Sequence, residues 1–149
     1  MKTNKTLILF LLFGCIGIAA EIFFTATYNS VKLFGTPEFN LRLMGQSYIW
    51  MFPIYGCIAI MGKVLIEKIQ KLNILIRSLI YAVVIFMFEF VTGWLLDMFT
   101  GSCPWEYKEG MHICGYIRLD YTPAWMGFGI MVEQIYLFAN GVLNRRMEK

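Results

Sequence analysis

Charge is the first thing this chain is short of. Asp, Glu, Lys and Arg make up 15% of its 149 residues, against about 25% in soluble domains. No polar stretch is long enough for a separate soluble domain, so the residues 1–149 read as a single membrane domain. There is one histidine, His112, and four cysteines without a Cys-x-x-Cys pair, which leaves no metal signature and implies no cofactor. No basic run suits nucleic acid. A nucleotide loop is missing too. Gly56 and Gly62 are separated by five residues rather than four, and Val64 stands where Ser or Thr would follow Lys63. Strands of alternating polarity about 10 residues long are absent as well, which argues against a membrane β-barrel.

What fills the chain instead is apolar sequence: 58% hydrophobic residues and a mean hydropathy of +0.61. Four spans emerge, at about 7–28, 47–66, 74–99 and 119–143, each long enough at about 1.5 Å per residue to cross a hydrocarbon core of about 30 Å. The expected fold is therefore an all-α integral membrane protein, a four-transmembrane-helix bundle. Lys2, Lys5, Lys63, Lys68, Lys71, Arg77, Arg145, Arg146 and Lys149 fall on one side of it, nine in all. Lys32, Arg42, Lys108 and Arg118 fall on the other. By the positive-inside rule both termini are cytoplasmic, in the plasma (cytoplasmic) membrane of a cell. The N-terminal Lys2, Lys5 and Gly17-Ile18-Ala19-Ala20 also resemble a cleavable signal, and Leu12-Phe13-Gly14-Cys15 loosely resembles a lipoprotein site. The apolar pattern continues beyond them through Ile22, Phe23 and Phe24, which favours an uncleaved first helix.

Within these spans stand three glutamates, Glu21, Glu89 and Glu133. A carboxylate at membrane depth costs a few kcal/mol, so it is expected to face a bundle interior or wet cavity with a partner there. Two readings of the three remain open: a ladder of acids descending from an outer mouth, or three polar contacts between helices, each acid bonded to a tyrosine or a backbone carbonyl. On the third span Glu89, Thr92, Gly93 and Asp97 share one side. Pro53, in Trp50-Met51-Phe52-Pro53-Ile54-Tyr55-Gly56, predicts a kink or break in the second span. Arg77 and Lys63 lie near span ends, where snorkelling accounts for them.

The connection before the fourth span is rich in aromatics: Cys103-Pro104-Trp105-Glu106-Tyr107, then Arg118, Asp120, Tyr121 and Trp125. Interfacial anchoring explains part of this. The compact Pro-Trp-Glu-Tyr unit also fits a lid, with Arg118 as counter-charge for Asp97 or Asp120. Cys103 and Cys114 are spaced to permit a disulfide across that loop, worth about 2–3 kcal/mol in a chain-entropy estimate.

Several blocks together carry a family resemblance. They are Glu21 with Phe24-Thr25-Ala26, Trp50 to Gly56, Glu89-Phe90-Val91-Thr92-Gly93, Cys103 to Tyr107, and Gly115-Tyr116-Ile117-Arg118-Leu119-Asp120-Tyr121 with Trp125 and Glu133-Gln134. The pattern resembles the ABC-transporter type IV (CmpB-like) membrane proteins of bacteria and vertebrate transmembrane protein 229, over about 14–134. It adds weight to Glu21, Glu89, Trp105, Tyr107, Tyr121, Trp125 and Glu133, and speaks against cleavage near Ala20. Cys114 is not part of the pattern, which weakens the disulfide.

The resemblance implies a small permease subunit whose acids line a cavity for a proton, cation or small cationic solute. A homo-oligomer or a partner membrane subunit is expected, with an ATPase supplied in trans. The alternatives are a structural or regulatory subunit of a membrane complex, or an enzyme on a lipid-linked substrate with Glu89 or Asp97 as base. The last is disfavoured, because the sequence shows no nucleophile–base pair.

Overall fold

The computed structural model describes residues 4–39, 42 and 44–147. Lys2 and Lys149, two of the nine cations counted to one side, lie outside the described residues. The chain divides into two compact units, Met1–Met61 and Gly62–Lys149.

In the first unit, α1 runs over Lys5–Leu33. Asn4 caps it, its side chain accepting from the Thr6 N–H at 3.1 Å. The helix passes without interruption through Ala19-Ala20, so the expected first span lies wholly inside it. Apolar residues cover it all round, and Phe23, Phe24 and Val31 are exposed, as expected of a helix solvated by lipid. The expected second span is not one helix. It comprises α2 (Met51–Gly56), a turn at Cys57, α3 (Ile58–Met61), a π-helical turn (Gly62–Ile66) and α4 (Glu67–Ile69).

Pro53 is not where this path is broken. It is the third residue of α2, in the first turn, where a missing N–H leaves no intrahelical bond unmade. The irregularity comes a turn later, where the Cys57 N–H still reaches Pro53 O at 3.0 Å. α2 packs on α1 through aromatic rings set on glycines. The Phe10 and Phe52 rings meet edge to face with centroids 6.1 Å apart. A Cβ at Gly14 would lie 2.8 Å from the Phe52 ring, and one at Gly17 2.1 Å from Tyr55 Cγ.

The second unit is built on two long helices, α5 (Ile74–Thr100) and α6 (Thr122–Met147). Asn73 caps α5 by accepting from the Leu75 N–H at 2.9 Å. Gly101, at φ 73°, closes the helix with its N–H on Asp97 O. The two helices are antiparallel. Arg77 and Tyr81 both reach Glu133, Tyr81 lies on Gly129, and Glu89 lies beside Trp125.

Between them a two-stranded hairpin pairs β1 (His112–Ile113) with β2 (Ile117–Arg118), His112 opposite Arg118. Its tight turn places Cys114 (φ 54°) and Gly115 (φ 75°) in the left-handed region. The Tyr116 N–H closes that turn on Ile113 O. A 3-10 turn, Leu119–Tyr121, leads into α6.

Among the described residues, three helices are long and apolar enough to cross a membrane: Lys5–Leu33, Ile74–Thr100 and Leu119–Met147. An all-α membrane protein is what they describe.

Candidate functional site

The three glutamates share one chemistry: each accepts a hydrogen bond from a tyrosine. Glu133 is 1% exposed. Its Oε2 accepts from Tyr81 OH at 2.6 Å, and its Oε1 faces Arg77 Nη2 at 3.4 Å and Gln134 Nε2 at 3.4 Å. Arg77 also donates to Gln70 O at 2.7 Å, tying the start of α5 to the preceding turn. The expectation that Arg77 merely snorkels is corrected here. Its side chain is 16% exposed and points inward, because a buried carboxylate on the facing helix offers it a counter-charge that the lipid surface does not.

In the first unit Glu21 Oε2 accepts from Ser47 OH at 3.0 Å and Tyr55 OH at 3.1 Å. The two arrangements match in detail. Gly17 precedes Glu21 by four residues and lies under the Tyr55 ring; Gly129 precedes Glu133 by four and lies under the Tyr81 ring. Four residues is one helical turn, so ring and hydroxyl of a single tyrosine reach the glycine and the glutamate of one face.

Glu89 is held differently. Its Oε1 accepts from Tyr107 OH at 3.4 Å, and Tyr107 comes from the connection, not from a helix. Glu89 Oε2 is buried without a hydrogen-bond partner, and so is Trp125 Nε1. The Trp125 indole stands beside that carboxylate as a side-chain donor, in a geometry too loose for a well-formed hydrogen bond. Among the described residues Glu89 Oε2 is the one buried carboxylate oxygen left in this condition. Thr92, expected to share the polar face, turns back to its own helix and donates to Phe88 O at 2.6 Å.

Segment 101–121 folds back along α5. Tyr107 reaches Glu89, which lies about 16 Å from the end of the helix at about 1.5 Å per residue. A Cβ at Gly93 would meet Cys103 Sγ, Tyr116 Cδ1 and Trp105 Nε1 within 3.4 Å, so this glycine is the floor on which the segment rests. Trp105 Nε1 donates to Tyr116 O at 3.2 Å, and Tyr116 OH donates to Asp97 Oδ2 at 2.7 Å. Both rings are half-buried, and their hydrogen bonds hold the segment to itself and to α5.

Each of the two phenols is a firmly neutral donor. Burial, and then the Glu89 charge, pushes Tyr107 above the usual tyrosine range. The bond to Asp97 pushes Tyr116 up to about 12. Cys103, half-buried beside them, has its thiol pushed up by burial. It is a free thiol, as is Cys114.

Arg118 takes Asp120 rather than Asp97 as its partner. Its Nε donates to both Asp120 oxygens at 2.9 Å, and Nη2 lies 2.8 Å from Oδ2. Its guanidinium also stands 4.6 Å from the Tyr121 ring centroid. Tyr121 meets Tyr107 and Trp125 edge to face, with centroids 5.8 and 6.2 Å apart. So Glu89, Tyr107, Tyr121 and Trp125 form one cluster, with Arg118 and Asp120 on its rim. Trp105 and Asp97 belong to the support of the segment. Glu133 lies about 12 Å further along α6 than Trp125, in a separate polar layer.

The family model described as "Putative ABC-transporter type IV" matches residues 8–147. The chain belongs to this family. No solved structure matches it. For a member of this family the arrangement adds residues that the sequence blocks had not singled out as a site: Ser47, Tyr55, Arg77, Tyr81 and Tyr116. Of these, Arg77 and Tyr81 carried a signal, since residues four apart share a helix face.

Proposed function

We propose that the protein is a small transport subunit and that Glu89 is the carboxylate at which a proton, cation or small cationic solute is taken up. Four passes with both termini cytoplasmic, residues 47–66 providing the second, make up its one membrane domain. The cluster around Glu89 then lies in the outer half of the membrane beneath segment 101–121. The observation that carries the reading is the loosely held Glu89 carboxylate, whose Oε2 has no well-formed hydrogen bond. Glu133 has an arginine, and Glu21 has two hydroxyl donors. Glu89 has one long phenol contact, and among the described residues no ion pair involves Glu89 or Asp97. A lone carboxylate in a membrane interior is retained where a proton or cation can complete it.

The family description supplies the transport class, and supports a partner ATPase or second membrane subunit. The experiment is proton and cation flux into liposomes holding the purified protein, wild type against Glu89→Gln. Flux in the wild type that is lost in a folded variant supports the reading. Flux equal in both removes Glu89 from the path. A wild type no more permeable than empty liposomes refutes transport by the chain alone and favours a structural or regulatory subunit, the role to which the tyrosine-bound Glu21 and Glu133 are suited.

A further inference from the structure

The π turn at Gly62–Ile66, set between α3 and α4, has a reason in the side chains around it. The Tyr136 ring, 1% exposed, lies on Gly62, where a Cβ would stand 2.6 Å from its Cδ2 and Cε2. The Tyr136 hydroxyl donates to the carboxyl of Glu67, five residues after that glycine. Glycine, glutamate and tyrosine meet here for a third time, after Gly17, Glu21 and Tyr55 and after Gly129, Glu133 and Tyr81. Only the spacing differs. Gly17 and Glu21, like Gly129 and Glu133, are four apart, one turn of an α-helix. Gly62 and Glu67 are five apart, and such residues face the same way where bonds close from i to i+5, in a π turn.

We infer that residues 62–70 form a conformational switch with two registers, and that Tyr136 holds the one seen here. In the other register the turn is α-helical. Ile66, four residues after Gly62, then takes the place of Glu67 beside Tyr136. Glu67 moves on by about 100° and about 1.5 Å and joins the face of Lys63, four residues before it. The displaced residue passes into the irregular turn at 70–72, which lengthens to take it up. Two ties oppose the shift, and both lie beyond the π turn: Tyr136 on Glu67, and Arg77 on Gln70 O at 2.7 Å. Arg77 also faces Glu133 at 3.4 Å, so the register of this segment is linked to the polar layer between α5 and α6. The inference needs neither Glu89 nor a transport role.

The test removes one residue from the turn. Val64, 56% exposed, lies between Gly62 and Glu67; Met131, 50% exposed, lies between Gly129 and Glu133. Without Val64, Gly62 and Glu67 stand four apart, an ordinary α turn serves Tyr136, and the second register is gone. Reversible unfolding of the full chain in mixed micelles should then give a folding constant within about threefold of wild type, as for a change at an exposed site. Removing Met131 turns Glu133 away from Tyr81 and Arg77 and should lower that constant more than about a hundredfold. Tyr136→Phe should lower it about fivefold, the loss of one hydrogen bond, with or without Val64. Methyl relaxation dispersion at Ile66 and Ile69 reads the switch itself. Exchange is expected in Tyr136→Phe, where the hold is released, and none in the same substitution made without Val64.

A loss of Val64 as damaging as the loss of Met131 would overturn the inference, because the fifth residue would then be required. So would a Tyr136→Phe protein without exchange at Ile66 and Ile69, or exchange that persists once Val64 is gone. A Tyr136→Phe cost that is the same in Glu67→Ala as in the wild type would deny that Glu67 is what the tyrosine holds.

Discussion

Replacing Arg77 by methionine tests the layer that holds α5 to α6. The substitution keeps the aliphatic stem and removes the charge opposite Glu133, whose side chain is 2% exposed. Breaking a buried ion pair by removing one partner costs about 3–5 kcal/mol in soluble cores. Two features lower that here. The Arg77 side chain is 16% exposed, so part of the attraction is already screened, and Tyr81 continues to donate to Glu133 at 2.6 Å. The expected loss for Arg77→Met is therefore about 2–3 kcal/mol.

In the double variant Arg77→Met/Glu133→Gln no charge is stranded, and its stability should be no lower than that of Arg77→Met alone. Reversible unfolding in mixed micelles, titrated with denaturing detergent and followed by tryptophan fluorescence, measures all of these. Losses from the two single substitutions that simply add, or an Arg77→Met protein within about 0.5 kcal/mol of wild type, would mean that the two side chains do not interact.

Two further outcomes follow from the geometry. A Cβ at Gly129 would lie 2.3 Å from Tyr81 Cβ, whereas at Gly127 and Gly141 nothing stands within 4 Å. Gly129→Ala should cost about 1–3 kcal/mol, while Gly127→Ala and Gly141→Ala should be neutral or gain up to about 1 kcal/mol. The same unfolding assay decides it, and equal effects would deny the close approach of Tyr81. Tyr116 gives a pH signature. Its phenol is raised from the ordinary 10.0 to about 12, first by the bond to Asp97. The stabilisation from that bond is thus fully present below pH 10 and lost as pH climbs through 12. An ultraviolet alkaline titration should show one tyrosine moving down toward 10 in Asp97→Asn; an unchanged curve would refute the pairing.

The spans expected at 7–28, 74–99 and 119–143 lie within helices of the structure, because apolarity sustained over 20 residues suits little else. The stretch 47–66 was less legible. A hydropathy average sees composition, but not the shift of hydrogen-bond register that makes a turn at Cys57 and a π turn at Gly62–Ile66. Arg77 was misread for a related reason: distance from a span end gives depth, while facing lipid or facing Glu133 is a question of azimuth. Of the two readings open for the acids, a descending ladder or polar contacts to a tyrosine or backbone carbonyl, the second includes the tyrosine bonds seen here. Naming Tyr55, Tyr81 and Tyr107 needed the antiparallel register of two helices and the fold of a loop, and a single sequence encodes neither directly. Of the two partners that the sequence allows Arg118, Asp97 and Asp120, the structure pairs it with the one two residues away.

The contrast among the three tyrosine contacts bears most on function. Without a hydrophobic force between helices in lipid, association depends on close packing and on polar groups that meet. Gly17 with Glu21, and Gly129 with Glu133, serve both needs through one tyrosine each. Pulling such a tyrosine away means parting two helix backbones. Tyr107 has no such anchorage. It approaches Glu89 from a loop, at 3.4 Å against 2.6 Å for Tyr81 on Glu133, and its ring rests on Tyr121 rather than on a helical glycine. The Tyr107 contact is therefore the one that can open while α5 and α6 stay packed, and Glu89 is the acid that can exchange its partner. A group that must bind and release needs that freedom. The same reasoning makes Tyr107→Phe informative: it should leave stability within about 1 kcal/mol while changing Glu89-dependent flux. A Tyr107→Phe protein as destabilised as Tyr81→Phe would place Glu89 with the structural pair instead.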